Sequence, residues 1–263
     1  MNPFMDIKLP DSYAICLVGH GSREQEGMQD FLSLWQKLKE RDFCRITKYG
    51  FLELGQPTVA EGVSACLRDG IQNIIILPGF LLPGEHTQKD IPDALSKIVQ
   101  SHPEICFHFA KPLGTSTEVM KVCQEHIEEA EKNLPQSIPR AQSLLLNILH
   151  GSHDAHLNSQ VEKNFHWLGK KLNFAKTVTH FAGTSQHSLE DMLGKSITKN
   201  FNRVLLFPFF LFTGVWVKRV YALADTFQSQ YPNIEFLKVS CLKHHEGIVD
   251  ALIHQAQKSI ARQ

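Results

Sequence analysis

Charge of one sign is missing from this sequence. Lys and Arg number 27, and so do Asp and Glu. A chain with no net charge has no broad field to gather nucleic acid or an anionic bilayer, so neither is expected as a partner. Long apolar runs are missing too. None approaches the roughly 18 residues of a membrane span. The opening "MNPFMDIKLPDS" lacks the basic start and apolar stretch of a secretory signal, so a cytoplasmic protein is expected. No C-x-x-C occurs among the six cysteines, which are scattered through apolar settings. They read as reduced core thiols, not as a disulfide or zinc framework. Neither G-x-x-x-x-G-K-[ST] nor G-x-G-x-x-G is present, which leaves no sign of ATP use through a P-loop or of a dinucleotide site.

What the chain does have is histidine, 14 in 263 residues. That abundance directs attention to metal and proton chemistry. One of them sits between two glycines in "LVGHGSRE", Leu17 to Glu24, and most of the phrase returns in "ILHGSHD", Ile148 to Asp154. A slide of 130 residues lays His20-Gly21-Ser22 on His150-Gly151-Ser152. The same slide lays Phe51 on Phe181, Gln56 on Gln186, and Pro78, Phe80, Leu81 and Gly84 on Pro208, Phe210, Leu211 and Gly214. Phe107 falls on Leu237. No gap is needed. A domain-sized repeat of this kind implies two similar halves, 1–134 and 135–263, with the proline-bearing "NLPQSIPRAQ" as linker.

Each half alternates strand and helix. In the first, "YAICLVG", "ITKYGFLEL", "IIILPGFLL" and "ICFHFA" are strand-like. Met28, Phe31, Leu32, Trp35 and Leu38 recur at helical spacing, and Pro57 is placed to open the next helix. Ile91 to Val99 and Glu118 to Lys132 are also helical in pattern. Continuous apolar strands separated by amphipathic helices predict an α/β fold, a four-stranded parallel sheet in each half with helices on both faces. Such sheets bind ligands at the carboxyl ends of their strands.

His20, Glu53 and His86 all come out on that edge of the first half, after its first, second and third strands. Two imidazoles and a carboxylate converging there can hold a borderline divalent ion such as Co²⁺, Fe²⁺, Ni²⁺ or Zn²⁺. They can also accept protons near neutral pH. Singly, each has a plainer reading: a loop histidine bonded to nearby backbone, a solvated glutamate at a strand end. In the second half Glu53 is replaced by Gly183 and His86 by Trp216, and only His150 remains. That contrast predicts one active site per chain, in the first half. His150 and His153 with Asp154 form a weaker metal candidate, and His244-His245 reads as a polar loop. "GTSTEVM" reads as a helix cap supplied by Thr115, Ser116 or Thr117.

"LVGHGSRE", "FLELGQPTVAEGV" and "IIILPGFLLPGEHTQKDIP" together resemble the sirohydrochlorin chelatase family of class II tetrapyrrole chelatases, in its long, two-repeat form. The resemblance covers nearly the whole chain. It implies two tandem chelatase-like domains related by pseudo-two-fold symmetry, the second a degenerate repeat closing a cleft over the macrocycle. It implies ATP-independent insertion of a divalent metal into sirohydrochlorin, with Co²⁺ favoured and Fe²⁺ next, in cobalamin or siroheme synthesis. The metal ion is then a substrate, and no further cofactor is expected. His20 and His86 match the family's metal-binding and proton-accepting histidines, and Glu53 its active-site acid. A flat ring edged with carboxylates needs apolar walls and a cationic rim. Phe80, Leu81 and Leu82 are candidates for one wall, and Phe209, Phe210, Phe212 and Trp216 for the other. Arg23, Lys89, Lys218 and Arg219 are candidates for the rim. The glycines beside His20 would let the backbone approach the ring. A non-catalytic carrier or sensor on the same fold remains the alternative, because fold does not fix function.

Overall fold

Runs of Ile, Leu and Val too short for helices and apolar on both faces can be buried only as inner strands of a covered sheet. In the computed structural model, which describes residues 8–132, 134, 138–197 and 201–261, they do this twice. The first sheet contains β1 (Tyr13–Gly21), β2 (Ile46–Leu54), β3 (Asn73–Pro78) and β4 (Cys106–Phe109), in the order β2-β1-β3-β4. The second contains β5 (Ser143–Leu149), β6 (Lys176–Phe181), β7 (Arg203–Pro208) and β8 (Glu235–Lys238), in the order β6-β5-β7-β8. All pairings are parallel. In each sheet the chain reverses its direction of travel at the central strand, so the edge beyond β1 and β3 is a topological switch point.

The helices are α1 (Gln25–Glu40), α2 (Val59–Arg68), α3 (Ile91–Ser101), α4 (Thr117–Glu131), α5 (Ala155–Lys171), α6 (Leu189–Ser196), α7 (Val215–Gln230) and α8 (Glu246–Ile260). Strand pleating sends alternate residues to opposite faces. Ala14, Cys16, Val18, Ile74 and Ile76 meet Val59, Val63 and Cys66 of α2 and Ile91 and Leu95 of α3. In the second sheet Leu144, Leu146, Ile148, Val204 and Leu206 meet α6 and α7 through Leu189, Leu193, Val220, Leu223 and Phe227. Pro57 does not open α2. Thr58 is its N-cap, in a reciprocal capping box with Glu61, and Pro57 precedes it. At α4, Ser116 supplies the expected cap, accepting from the Val119 amide at 3.4 Å.

The sequence repeat divides the chain at 134/135, and the compact units have other bounds. One comprises the residues up to Val119 together with Lys243 onward; the other is Met120–Leu242. The last helix of the chain, α8, therefore packs on β3, β4 and α1 of the first sheet. Lys37–Glu246 at 2.7 Å and Arg41–Asp250 at 2.8 Å fasten it to α1. In the second unit α4 is held through Glu131, which pairs with Arg140 at 2.6 Å and the buried Arg203 at 3.6 Å. The two helices occupy equivalent places in the repeat, so sequence comparison cannot tell which sheet each covers. Part of the proposed linker, residues 133 and 135–137, lies outside the described residues.

The repeat is also not free of gaps. Strand registers keep the 130-residue shift through β7, but Ile74 pairs with Phe107 and Val204 with Phe236, a shift of 129. The counterpart of Phe107 is Phe236, not Leu237. From Gly84 to His102 is 18 residues; from Gly214 to Tyr231 is 17. The first half carries the extra residue, and it carries it in a five-residue π-helical turn, His86–Asp90, which runs into α3.

Candidate metal centre

His20 is the penultimate residue of β1, and Glu53 that of β2; His86 opens the π turn after β3. Parallel strands bring all three to one edge, at the switch point. The imidazoles of His20 and His86 meet edge to face with centroids 4.7 Å apart. His20 Nε2 stands 3.6 Å from Glu53 Oε2. One ligand atom from each of the three lies within 4.8 Å of the others. Four-coordinate divalent metals with bonds of about 2.1 Å hold ligand atoms about 3.4 Å apart. The His20–Glu53 distance is already close to that, and the rest closes with shifts on the order of 1 Å by half-exposed side chains. Among the described residues this is the one group of three such side chains close enough to share an ion.

Both imidazoles are turned by their other nitrogen. His20 Nδ1 lies 3.3 Å from its neighbour's carbonyl, Gly21 O, and His86 Nδ1 lies 2.7 Å from Asp90 Oδ2. A carbonyl or an ionised carboxylate can only accept, so each Nδ1 is placed to donate, and in the neutral imidazole that leaves Nε2 with a lone pair. Asp90 was not singled out from the sequence, although H-x-x-x-D on a helical turn is a readable pairing.

The glycines beside His20 have reasons inside the fold. A Cβ at Gly19 would stand 2.6 Å from the Phe31 ring. Gly21 has φ of +88°, and a Cβ there would stand 2.3 Å from Leu54 O. The turn exists because β1 and β2 approach this closely, a reason for glycine that is independent of any substrate. Gly151 repeats the turn at φ +87°, and His150 Nδ1 again faces its neighbour's carbonyl at 3.4 Å.

There the likeness between the halves ends. The His150 ring lies over Gly183, where a Cβ would be 2.4–2.7 Å from three of its ring atoms, and it meets Trp216 edge to face at 6.2 Å. The ring thus occupies the space that a Glu53 counterpart would need. His153 is exposed, and Asp154 is engaged as the N-cap of α5, accepting from the amides of His156 and Leu157. His245 caps α8.

The remaining candidates are divided. Phe80 is partly exposed, with its ring 6.0 Å from that of His86. Arg23 and Lys89 are exposed in the same unit, after β1 and within the π turn. Trp216, Lys218 and Arg219 lie on the first turns of α7 in the second unit. Arg219 sits 5.5 Å over the Trp216 ring and pairs with Glu190 at 3.2 Å, so part of its charge is already answered. Phe209 is no wall residue. It is 2% exposed and packs on Phe165 and Phe207 in the core.

The CbiX family model matches residues 14–130 and again 144–259. A sirohydrochlorin cobaltochelatase of Priestia megaterium is 27% identical over 248 residues, spanning 94% of this chain and 80% of that one. A sirohydrochlorin ferrochelatase of the same organism is 25% identical over 244 residues, spanning 93% and 89%. Two solved structures share the fold at 21% identity. The sirohydrochlorin chelatase SirB from Bacillus subtilis subspecies spizizenii, in complex with cobalt, aligns with a TM-score of 0.76 over 94% of each chain. SirB from Bacillus subtilis with Fe³⁺ aligns at 0.80 over 95% and 96%.

Proposed function

The chain belongs to the CbiX family, that of the sirohydrochlorin chelatases, and we propose that it inserts a divalent metal ion into sirohydrochlorin at the His20–Glu53–His86 centre. The observation that carries this reading is the convergence of those three side chains at the switch point of the first sheet, with nothing equivalent among the described residues of the second.

The reaction exchanges one M²⁺ for two pyrrole N–H protons. It needs groups that hold the ion, give it up, and take the protons. The Nε2 lone pairs of His20 and His86 suit a borderline ion. Glu53, more than half exposed, offsets metal charge and accepts a proton as the ring nitrogens lose theirs. No nucleotide-binding loop is needed for this exchange. Phe80 beside His86 offers an apolar surface to a flat ring, and Arg23 and Lys89 offer cations to its carboxylates. Trp216, Lys218 and Arg219 are the second unit's own candidates for such contacts.

Cobalt is the preferred ion in this reading and iron the second. The relatives that span most of this chain include both a cobaltochelatase and a ferrochelatase, and the ligand set itself discriminates little between adjacent ions. The test is anaerobic absorption spectroscopy of sirohydrochlorin with catalytic protein and either Co²⁺ or Fe²⁺. Turnover many times the protein concentration is expected. Spectral change limited to one equivalent would make the protein a carrier, and no acceleration over free metal would overturn the enzymatic reading. Faster turnover with Fe²⁺ than Co²⁺ would reverse the metal preference alone.

A further inference from the structure

Asp90 closes the π turn with helical backbone angles where it runs into α3, and its side chain makes no capping bond there. Its carboxylate instead accepts a hydrogen bond from Nδ1–H of His86, at 2.7 Å. The intervening turn is π-helical, and it holds the residue by which the first half exceeds the second. In the second half α7 starts directly at Val215 as an α-helix, with Trp216 where His86 would stand. Single π turns cost hydrogen-bond geometry and occur often at functional sites. Here the distortion coincides with the histidine and the carboxylate that orients it. Asp90 is 39% exposed at its side chain, so little packing depends on it.

We propose that Asp90 is the positioning residue of the metal centre. It fixes the His86 tautomer with Nε2 unprotonated and holds the ring toward His20 and Glu53, the π turn supplying the spacing. The proposal rests on the metal-site reading above. Carboxylate partners of metal-binding histidines typically contribute about 10–100-fold in affinity.

The experiment uses the full chain without tetrapyrrole, titrated with Co²⁺ and followed by visible absorption, for wild type, Asp90→Ala, Asp90→Asn and His86→Ala. A second readout is ¹⁵N-histidine NMR of the metal-free protein, which reports the tautomer directly. Asp90→Ala is expected to weaken Co²⁺ binding about 10–100-fold and to release His86 from a single Nδ1–H tautomer. Asp90→Asn, whose amide oxygen can accept the same bond, is expected to recover most of the affinity. If Asp90→Ala binds Co²⁺ like wild type while His86→Ala does not, Asp90 has no positioning role and the metal site stands. If His86→Ala also binds like wild type, the metal-site reading falls and takes this proposal with it. Should Asp90→Ala fail to fold, the wild-type spectrum still decides, because a neutral His86 ring with its proton on Nε2 and none on Nδ1 overturns the assignment.

Discussion

Loss of a histidine should affect the two halves of this protein very differently. In the proposed centre His20 and His86 each offer one of three candidate ligand atoms in a set that spans no more than 4.8 Å, so either truncation leaves two. Groups that move protons or hold the reacting ion typically contribute about 10²–10⁴-fold, which is about 2.7–5.5 kcal/mol of barrier. His20→Ala and His86→Ala should each lose that much kcat in the insertion assay. Both side chains are more than a third exposed, so their removal deletes little buried surface and the fold should survive. Among the described residues His150 has no such set around it. Its ring covers Gly183 and touches Trp216, so His150→Ala should change kcat by less than about threefold, or about 0.7 kcal/mol. Gly183→Glu should not build a second centre, because its Cβ would strike the His150 ring. The assay is kcat for each variant with the same metal and tetrapyrrole, with circular dichroism to confirm folding. A loss for His150→Ala as large as that for His86→Ala would refute the single-centre reasoning.

Gly21→Ala combines a left-handed backbone with a Cβ 2.3 Å from Leu54 O, and should destabilise by about 1–3 kcal/mol or more in urea unfolding, with lower activity; an unchanged midpoint would mean the turn relaxes freely. Arg203 is 3% exposed and pairs with Glu131 and Glu235, so Arg203→Ala leaves carboxylates without their cation and should cost about 3–5 kcal/mol; Arg203→Met with Glu131→Gln and Glu235→Gln should recover part of it. Burial holds the imidazoles of His108 and His180 below the usual histidine range. The unfolded chain therefore binds protons first, and stability should begin to fall as pH drops below about 6.5, the unfolded value, until the lower folded values are passed. His108→Gln with His180→Gln should flatten the melting temperature between pH 7 and 5, and an unaltered slope would assign the loss to other groups.

Much of this protein is set by local pattern. The alternation of apolar strands with amphipathic helices determines both sheets, since a strand apolar on both faces has no other stable place. The repeat of His-Gly-Ser with Pro-x-Phe-Leu marks two copies of one unit. Parallel strands bring whatever follows them to a common edge, which is why His20, Glu53 and His86 were legible as a set before any coordinates. Other features depend on contacts between distant segments. Which sheet α8 covers shows only in the packing of its apolar face on β3, β4 and α1, and two equivalent helices in a repeat carry no label for it. The extra residue in the first half was hidden because Leu237 is as apolar as Phe236, and only the β7–β8 register shows the slip. Asp90 has no mark of its own in the sequence, and its bond to His86 shows only where the π turn places the two side chains. Sequence periodicity fixes which way a segment faces. Side-chain partners a few ångströms apart, such as His150 over Gly183 or Phe31 against Gly19, are chosen by packing, which no single segment contains.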